Sequence, residues 1–171
     1  MVGDLRQITK LVHPFPDRVV HKNPSGGGTY VKHSTVQQRI MDVLGLVDIE
    51  LVQVIRGTVA GKAPNPNGSS ARAKAGTPAL DDAVCGVVLR LTATVDGQRV
   101  MVEEAGDCEE PHNWPHDGAR MKDAMSDAYK RCAMRLGVGL HLWSQDDFYL
   151  AEKLMKQDAA EPVPPVEGNP K

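Results

Sequence analysis

The stretch GARMKDAMSDAYKRCAMRL, residues 118–136, decides how the rest of the chain is read. On a helical projection Met121, Met125, Ala128, Tyr129, Cys132 and Leu136 share an arc of roughly 100°, the width of an apolar stripe that faces a core. Arg120, Arg131 and Arg135 fall together on the other side, with Lys130 at one flank and Asp123 and Asp127 among them. The segment Gly137-Val138-Gly139 stops the helix, because glycine accepts the left-handed conformation of a C-terminal cap. Asp127 and Arg131 form an i,i+4 pair in the favourable order. The exposed face therefore reads either as a solvated surface with internal ion pairs or as a row of cations for a phosphate backbone.

Working outward, the apolar stripe needs a surface to cover. Val84–Val95 reads as a strand, Asp96-Gly97 as a hairpin turn, and Arg99–Glu104 as the returning strand. Asp48–Ala60 alternates well enough to add a third, which predicts an antiparallel β-meander of at least three strands. Ser34–Gly45 predicts a shorter helix nearer the N-terminus. Ser34 and Gln37 fit a capping box, and Val36, Ile40, Val43 and Leu44 fall on one face. Pro14 and Pro16 break any early helix. Arg18–Lys22 and Thr29–Lys32 read as short strands on either side of Pro24–Gly28 (PSGGG), a turn or flexible connection. Gly61–Leu80 is predicted to be a loop, rich in Gly, Pro, Asn and Ser, with Lys62, Arg72 and Lys74 and no acid. Glu109–Asp117 reads as another loop, and Asp146–Lys156 as a final short helix. These elements predict an α+β fold: an arm over residues 1–13, one domain over 14–156, and a disordered tail over 157–171.

With 171 residues and 41% hydrophobic composition, the chain can bury a core without disulfides or a metal. Aromatics make up only 4%, so Val, Leu, Ile, Met and Ala must build that core. No apolar run approaches the roughly 18 residues of a membrane span, and Met1–Lys10 has no apolar signal-peptide core. Cys85, Cys108 and Cys132 are odd in number and widely spaced, which suits reduced thiols and a cytoplasmic location. The net charge of −2 conceals segregation. Residues 1–80 hold 10 Lys and Arg against 5 acids, residues 81–117 hold 2 against 9, and residues 118–139 hold 5 against 2. A local basic surface is compatible with the balanced total.

Other chemistry finds little support. Cys108, His112 and His116 give three zinc-type ligands, but Pro111 and Pro115 work against regular presentation. Asp81, Asp82, Glu103, Glu104 and Asp107 suggest a magnesium-dependent nuclease only weakly, since adjacent acids commonly mark a solvated strand end. Gly61-Lys62 is followed by Ala63, so the phosphate-loop pattern is absent. His141 reads as a surface or capping histidine and Trp143 as a packed one. No catalytic constellation, cofactor or metal is expected.

At the basic helix the sequence resembles a known family. KDAMSDAYKRCAMRLGVGLHLW, Lys122–Trp143, is similar to the most characteristic block of the Rad-fifty-two family of single-strand annealing proteins. Ala124, Asp127, Lys130 and Arg131 match its A-x-x-D-x-x-K-R core, and Gly137, Gly139 and Leu142 match the end of the block. GGGTYVKHSTVQQRIMDVLG, Gly26–Gly45, and VCGVVLRLTATVDGQRVMVEEAG, Val84–Gly106, resemble the family's first helix and central hairpin. The order of elements agrees over roughly residues 14–150, and the small size is similar to the bacteriophage branch.

The resemblance implies a β-β-β-α core with an extra helix, assembled into a ring or filament with DNA in an outer basic groove. It implies ATP-independent single-stranded DNA binding and annealing in homologous recombination and double-strand break repair. Lys130 and Arg131 match the family's paired basic residues. A further basic position is Met134 here, with Arg135 beside it. Another, near the start of the first helix, is Thr35, with Lys32 and Arg39 nearby. Arg120 and Lys122 complete the expected DNA-binding set. Apart from the resemblance, the Gly61–Leu80 loop reads either as a mobile connection or, through Lys62, Arg72 and Lys74, as a second, weaker DNA contact. The implied partners are single-stranded DNA, further copies of the chain, and a phage exonuclease or host single-strand-binding protein. The implied setting is a bacterial host cytoplasm. The alternatives are a single-strand binder that loads another recombinase without annealing, or a metal-dependent nuclease.

Overall fold

The computed structural model describes residues 5–23, 27–144 and 147–160, with the side chain of Arg72 excluded. It is a mixed α+β structure with antiparallel sheets. The chain divides into two compact units: Met1–Val47 with Thr92–Val100 and Ala133–Lys171, and Asp48–Leu91 with Met101–Cys132.

The second unit holds most of a three-stranded sheet, ordered β3 (Asp48–Val59), β4 (Leu80–Val95) and β5 (Gln98–Asp107). β4 buries Val87, Leu89 and Leu91, successive residues on one face of a pleated strand. Over that face lies α4 (Asp117–Arg135), which buries Ala124, Ala128, Tyr129 and Cys132. The closest approach is at Gly106 of β5. A Cβ there would stand 2.2 Å from the Ala128 backbone nitrogen and 2.4 Å from the Ala124 carbonyl oxygen. Only a glycine in the strand, facing alanines in the helix, lets the two backbones come so near. The hairpin between β4 and β5 turns at Asp96 (φ 49°) and Gly97 (φ 79°), both left-handed as a two-residue type I′ turn requires.

Asp117 ties this unit together at the start of α4. Its Oδ1 accepts the Val84 N–H at 3.2 Å and two Arg120 donors, Nε at 3.1 Å and Nη2 at 2.9 Å, while Oδ2 accepts from Arg56 Nη2 at 2.6 Å. The Val84 N–H, then Arg56 and Arg120, hold its carboxyl down at about 2. The segment expected to be an open loop, Gly61–Leu80, is partly ordered. Lys62 and Thr77 exchange backbone hydrogen bonds at 2.9 and 2.8 Å, and α3 (Ala71–Ala75) is capped by Ser70 Oγ, which accepts the Ala73 N–H at 3.0 Å.

In the first unit α1 (Gln7–Val12) packs against α2 (His33–Leu44) and α6 (Leu150–Ala160), burying Leu11, Val12 and Ile40. α4 ends as a Schellman motif at Gly137 (φ 89°), with Val138 N–H donating to Ala133 O at 3.0 Å and Gly137 N–H to Met134 O at 2.8 Å. A short helix, α5 (His141–Ser144), follows.

Several boundaries differ from expectation. The strand predicted over Arg18–Lys22 is a 3₁₀ turn, Asp17–Val19, followed by the two residues of β1 (His21–Lys22), because Val19 and Val20 donate back to Pro16 and Asp17. Of Thr29–Lys32 only β2 (Thr29–Tyr30) is strand, paired antiparallel with β1; Pro24–Gly26 of the connection lie outside the described residues. α2 starts one residue before the predicted cap, with Lys32 at the N-cap and no side-chain capping bond, so Ser34 lies inside the helix. α6 starts at Leu150, while Gln145 and Asp146 lie outside the described residues. Residues 157–160, expected in a disordered tail, complete α6. Asp158 is buried there, accepting the Arg6 N–H at 3.1 Å and pairing with the Arg6 guanidinium. Residues 161–171 lie outside the described residues.

Candidate nucleic-acid interface

The site expected from sequence is the polar side of α4. Packing of Ala124 and Ala128 on Gly106 fixes the helix to within a backbone contact, so its side chains project from a rigid element. Lys122 and Arg135 are exposed, and Lys130 and Arg131 are half-buried. Arg131 is held by Asp127, Nε to Oδ2 at 2.7 Å, one turn earlier. That bond, with Asp107 and Glu104 further off, raises the Arg131 pKa, so the guanidinium is always charged. Its side chain retains 40% exposure. A phosphate reaching it must displace or share a neighbouring carboxylate.

Two residues of the expected contact set also make contacts within the fold. Arg120 is 8% exposed. Besides Asp117, it donates from Nη1 to the carbonyl oxygens of Trp114 at 2.9 Å and Pro111 at 3.3 Å, which anchors the start of α4 to the preceding 3₁₀ turn (Pro111–Asn113). Helical projection puts it beside Arg131 but ignores the chain before the helix, which folds over it. Arg39 likewise spends Nη1 on the carbonyls of His13 at 2.7 Å and Lys10 at 2.9 Å, closing the end of α1. Its guanidinium sits 4.6 Å above the Phe15 ring, a cation–π arrangement.

Lys32 is exposed at the start of α2. It belongs with Arg39 and Arg135 to the first unit, whereas Arg120, Lys122, Lys130 and Arg131 belong to the second. In the secondary set Lys62 is paired with Glu110 at 2.7 Å, and Lys74 is exposed on α3. The Arg72 side chain lies outside the described residues.

The alternative constellations are scattered. His112 is buried with Nε2 3.0 Å from the Ala60 carbonyl oxygen, while His116 is exposed and accepts the Ala119 N–H at Nδ1. Burial, then Asp123, pushes the Cys108 thiol up to about 11, away from a ligating thiolate. Among the described residues no three His, Cys, Asp or Glu side chains are placed to hold a metal. Asp82 pairs with Arg56, and Glu103 with Arg90. His141 is half-buried between the Phe15 and Phe148 rings, and its Nε2 accepts the Phe15 N–H at 3.3 Å. Trp143, expected to pack, is 67% exposed, and Tyr149 is 69% exposed. Aromatics are few, yet these two stand on the surface, a feature that average composition conceals. No helix among the described residues is long and apolar enough to cross a membrane.

No family model matches the chain, and no curated protein matches it.

Proposed function

We propose that this chain binds single-stranded DNA through the sugar-phosphate backbone and anneals complementary strands without ATP, as its resemblance to the Rad-fifty-two family implies. The observation that carries the reading is the pair Lys130–Arg131. Two adjacent cations retain solvent access on a helix whose other side is locked onto a sheet. Lys and Arg grip phosphates without reading sequence, which leaves base edges available for pairing. Lys122 and Arg135 extend the same helix as further backbone contacts. In this reading the sheet and α4 form the family's β-β-β-α core, and copies assemble into a ring or filament. The strands to be joined come from an exonuclease.

The test is a fluorescence anisotropy titration of labelled oligonucleotides with the parent chain, Lys130→Ala and Arg131→Ala, beside circular dichroism. Each variant is expected to keep its fold and to lose affinity alike for every single-stranded sequence. Unaltered affinity in both folded variants removes α4 from the interface. Binding without acceleration of duplex formation favours a loader of another recombinase.

A further inference from the structure

Strand β3 is a sheet edge with a mirrored sequence. All nine residues from Asp48 to Arg56 are exposed. Ile49, Leu51, Val52, Val54 and Ile55 are 36–42% exposed, although β-branched and aliphatic residues of this kind normally fill a core. The sheet order leaves the side of β3 away from β4 without a neighbour among the described residues. Such an edge presents a row of backbone donors and acceptors ready to pair with another strand. Read outward from Gln53, the sequence matches itself: Val52 with Val54, Leu51 with Ile55, and Glu50 with Arg56, which is the opposite charge.

We propose that β3 pairs antiparallel with β3 of a second copy, about a twofold axis through Gln53. A twofold antiparallel pair places opposed residues on the same face. Leu51 then meets the partner's Ile55 on one face. On the other, Val52 meets the partner's Val54 and Glu50 the partner's Arg56. Apolar pairs and opposite charges directly across a ladder each stabilise it. A slip of one residue sends every side chain to the wrong face. A slip of two sets Glu50 against Val54 or Thr58.

The intrachain contacts leave room for the new pair. Arg56 uses Nε and Nη2, on Asp82 and Asp117. Glu50 uses Oε2, on Arg90 at 2.7 Å. Among the described residues, Arg56 Nη1 and Glu50 Oε1 remain for the intermolecular bond. The contact closes a pair of copies and does not depend on DNA binding.

The experiment is cysteine cross-linking of the full chain under a mild oxidant, with the parent chain as control for its own three thiols. Gln53→Cys is expected to give a covalent dimer, since residue 53 stands opposite itself. Glu50→Cys alone is expected to stay at the control level, because its two copies lie about 20 Å apart along the strand. A mixture of Glu50→Cys and Arg56→Cys is expected to cross-link. In sedimentation at one concentration, Leu51→Lys is expected to lower the mass of the parent assembly and weaken association at least tenfold. Cross-linking of Gln53→Cys no better than Glu50→Cys overturns the proposal, as does a mass unchanged by Leu51→Lys. Neither readout involves DNA, so failure here leaves the annealing proposal standing.

Discussion

Strands β3 and β4 lie side by side and are built from the same residue types, yet they meet opposite environments. β4 buries Val87, Leu89 and Leu91 beneath α4, whereas β3 exposes Ile49, Leu51, Val52, Val54 and Ile55. The difference comes from one helix. α4 sits on Gly106 and reaches β4 through Cys132, whose Sγ is 3.7 Å from the Leu89 carbonyl oxygen. Apolar alternation thus shows that a strand will be covered without showing by what. For β4 the cover belongs to the same chain; for β3 the proposed cover is a second copy.

Breaking the covered region should have the largest effect. In Gly106→Ala the new methyl must push the α4 backbone away, so a stability loss of about 3 kcal/mol is expected, read from urea unfolding. A loss below about 1 kcal/mol would mean that α4 is not seated so closely. Asp117 provides the next test. Its folded pKa of about 2 lies below the usual carboxylate value, so its stabilisation is present above about pH 4 and is lost as pH falls towards 2. Asp117→Asn should melt at lower temperature than the parent at pH 7 and show less further loss across that acid window. Leu51→Lys on the bare strand should change the stability of the single chain by no more than about 0.5 kcal/mol, as exposed substitutions do. That contrast with Gly106 sharpens the distinction between the two strands.

The smallest effects concern the cations. Lys130→Ala should flatten the dependence of log affinity on log salt by about 0.7, the value for one neutralised phosphate on a single strand. Asp127→Asn should cost no more than about 0.5 kcal/mol of stability. By releasing Arg131, it should also tighten single-strand binding in the same anisotropy titration.

Long segments were legible from sequence because their residue types and spacing repeat over many positions, whether or not the resulting face is buried. Asp48–Val59, the Asp96-Gly97 turn and the helix ending at Gly137 all lie where alternation, turn chemistry and the glycine stop place them. The caps and connections were not legible. Ser34 fits a capping box on paper, but backbone geometry starts α2 at His33. In the candidate site the polar side of α4 could be read from helical spacing, while the choice of Lys130 and Arg131 rests on the resemblance. The structural duties of Arg120 and Arg39 could not, because their partners are carbonyl groups of neighbouring loops and carry no sequence signal. Gly106 lies beyond the strand predicted over Arg99–Glu104, whereas β5 runs on to Asp107, so the sign that a glycine in a strand gives of close backbone approach was missed.

Duplex formation from two complementary oligonucleotides, followed by stopped-flow fluorescence without nucleotide, tests annealing most directly. The parent chain should accelerate pairing well above the uncatalysed rate, and a folded Lys130→Ala/Arg131→Ala double variant should lose most of that acceleration. A parent chain that leaves the rate unchanged, or a double variant as fast as the parent, would contradict it.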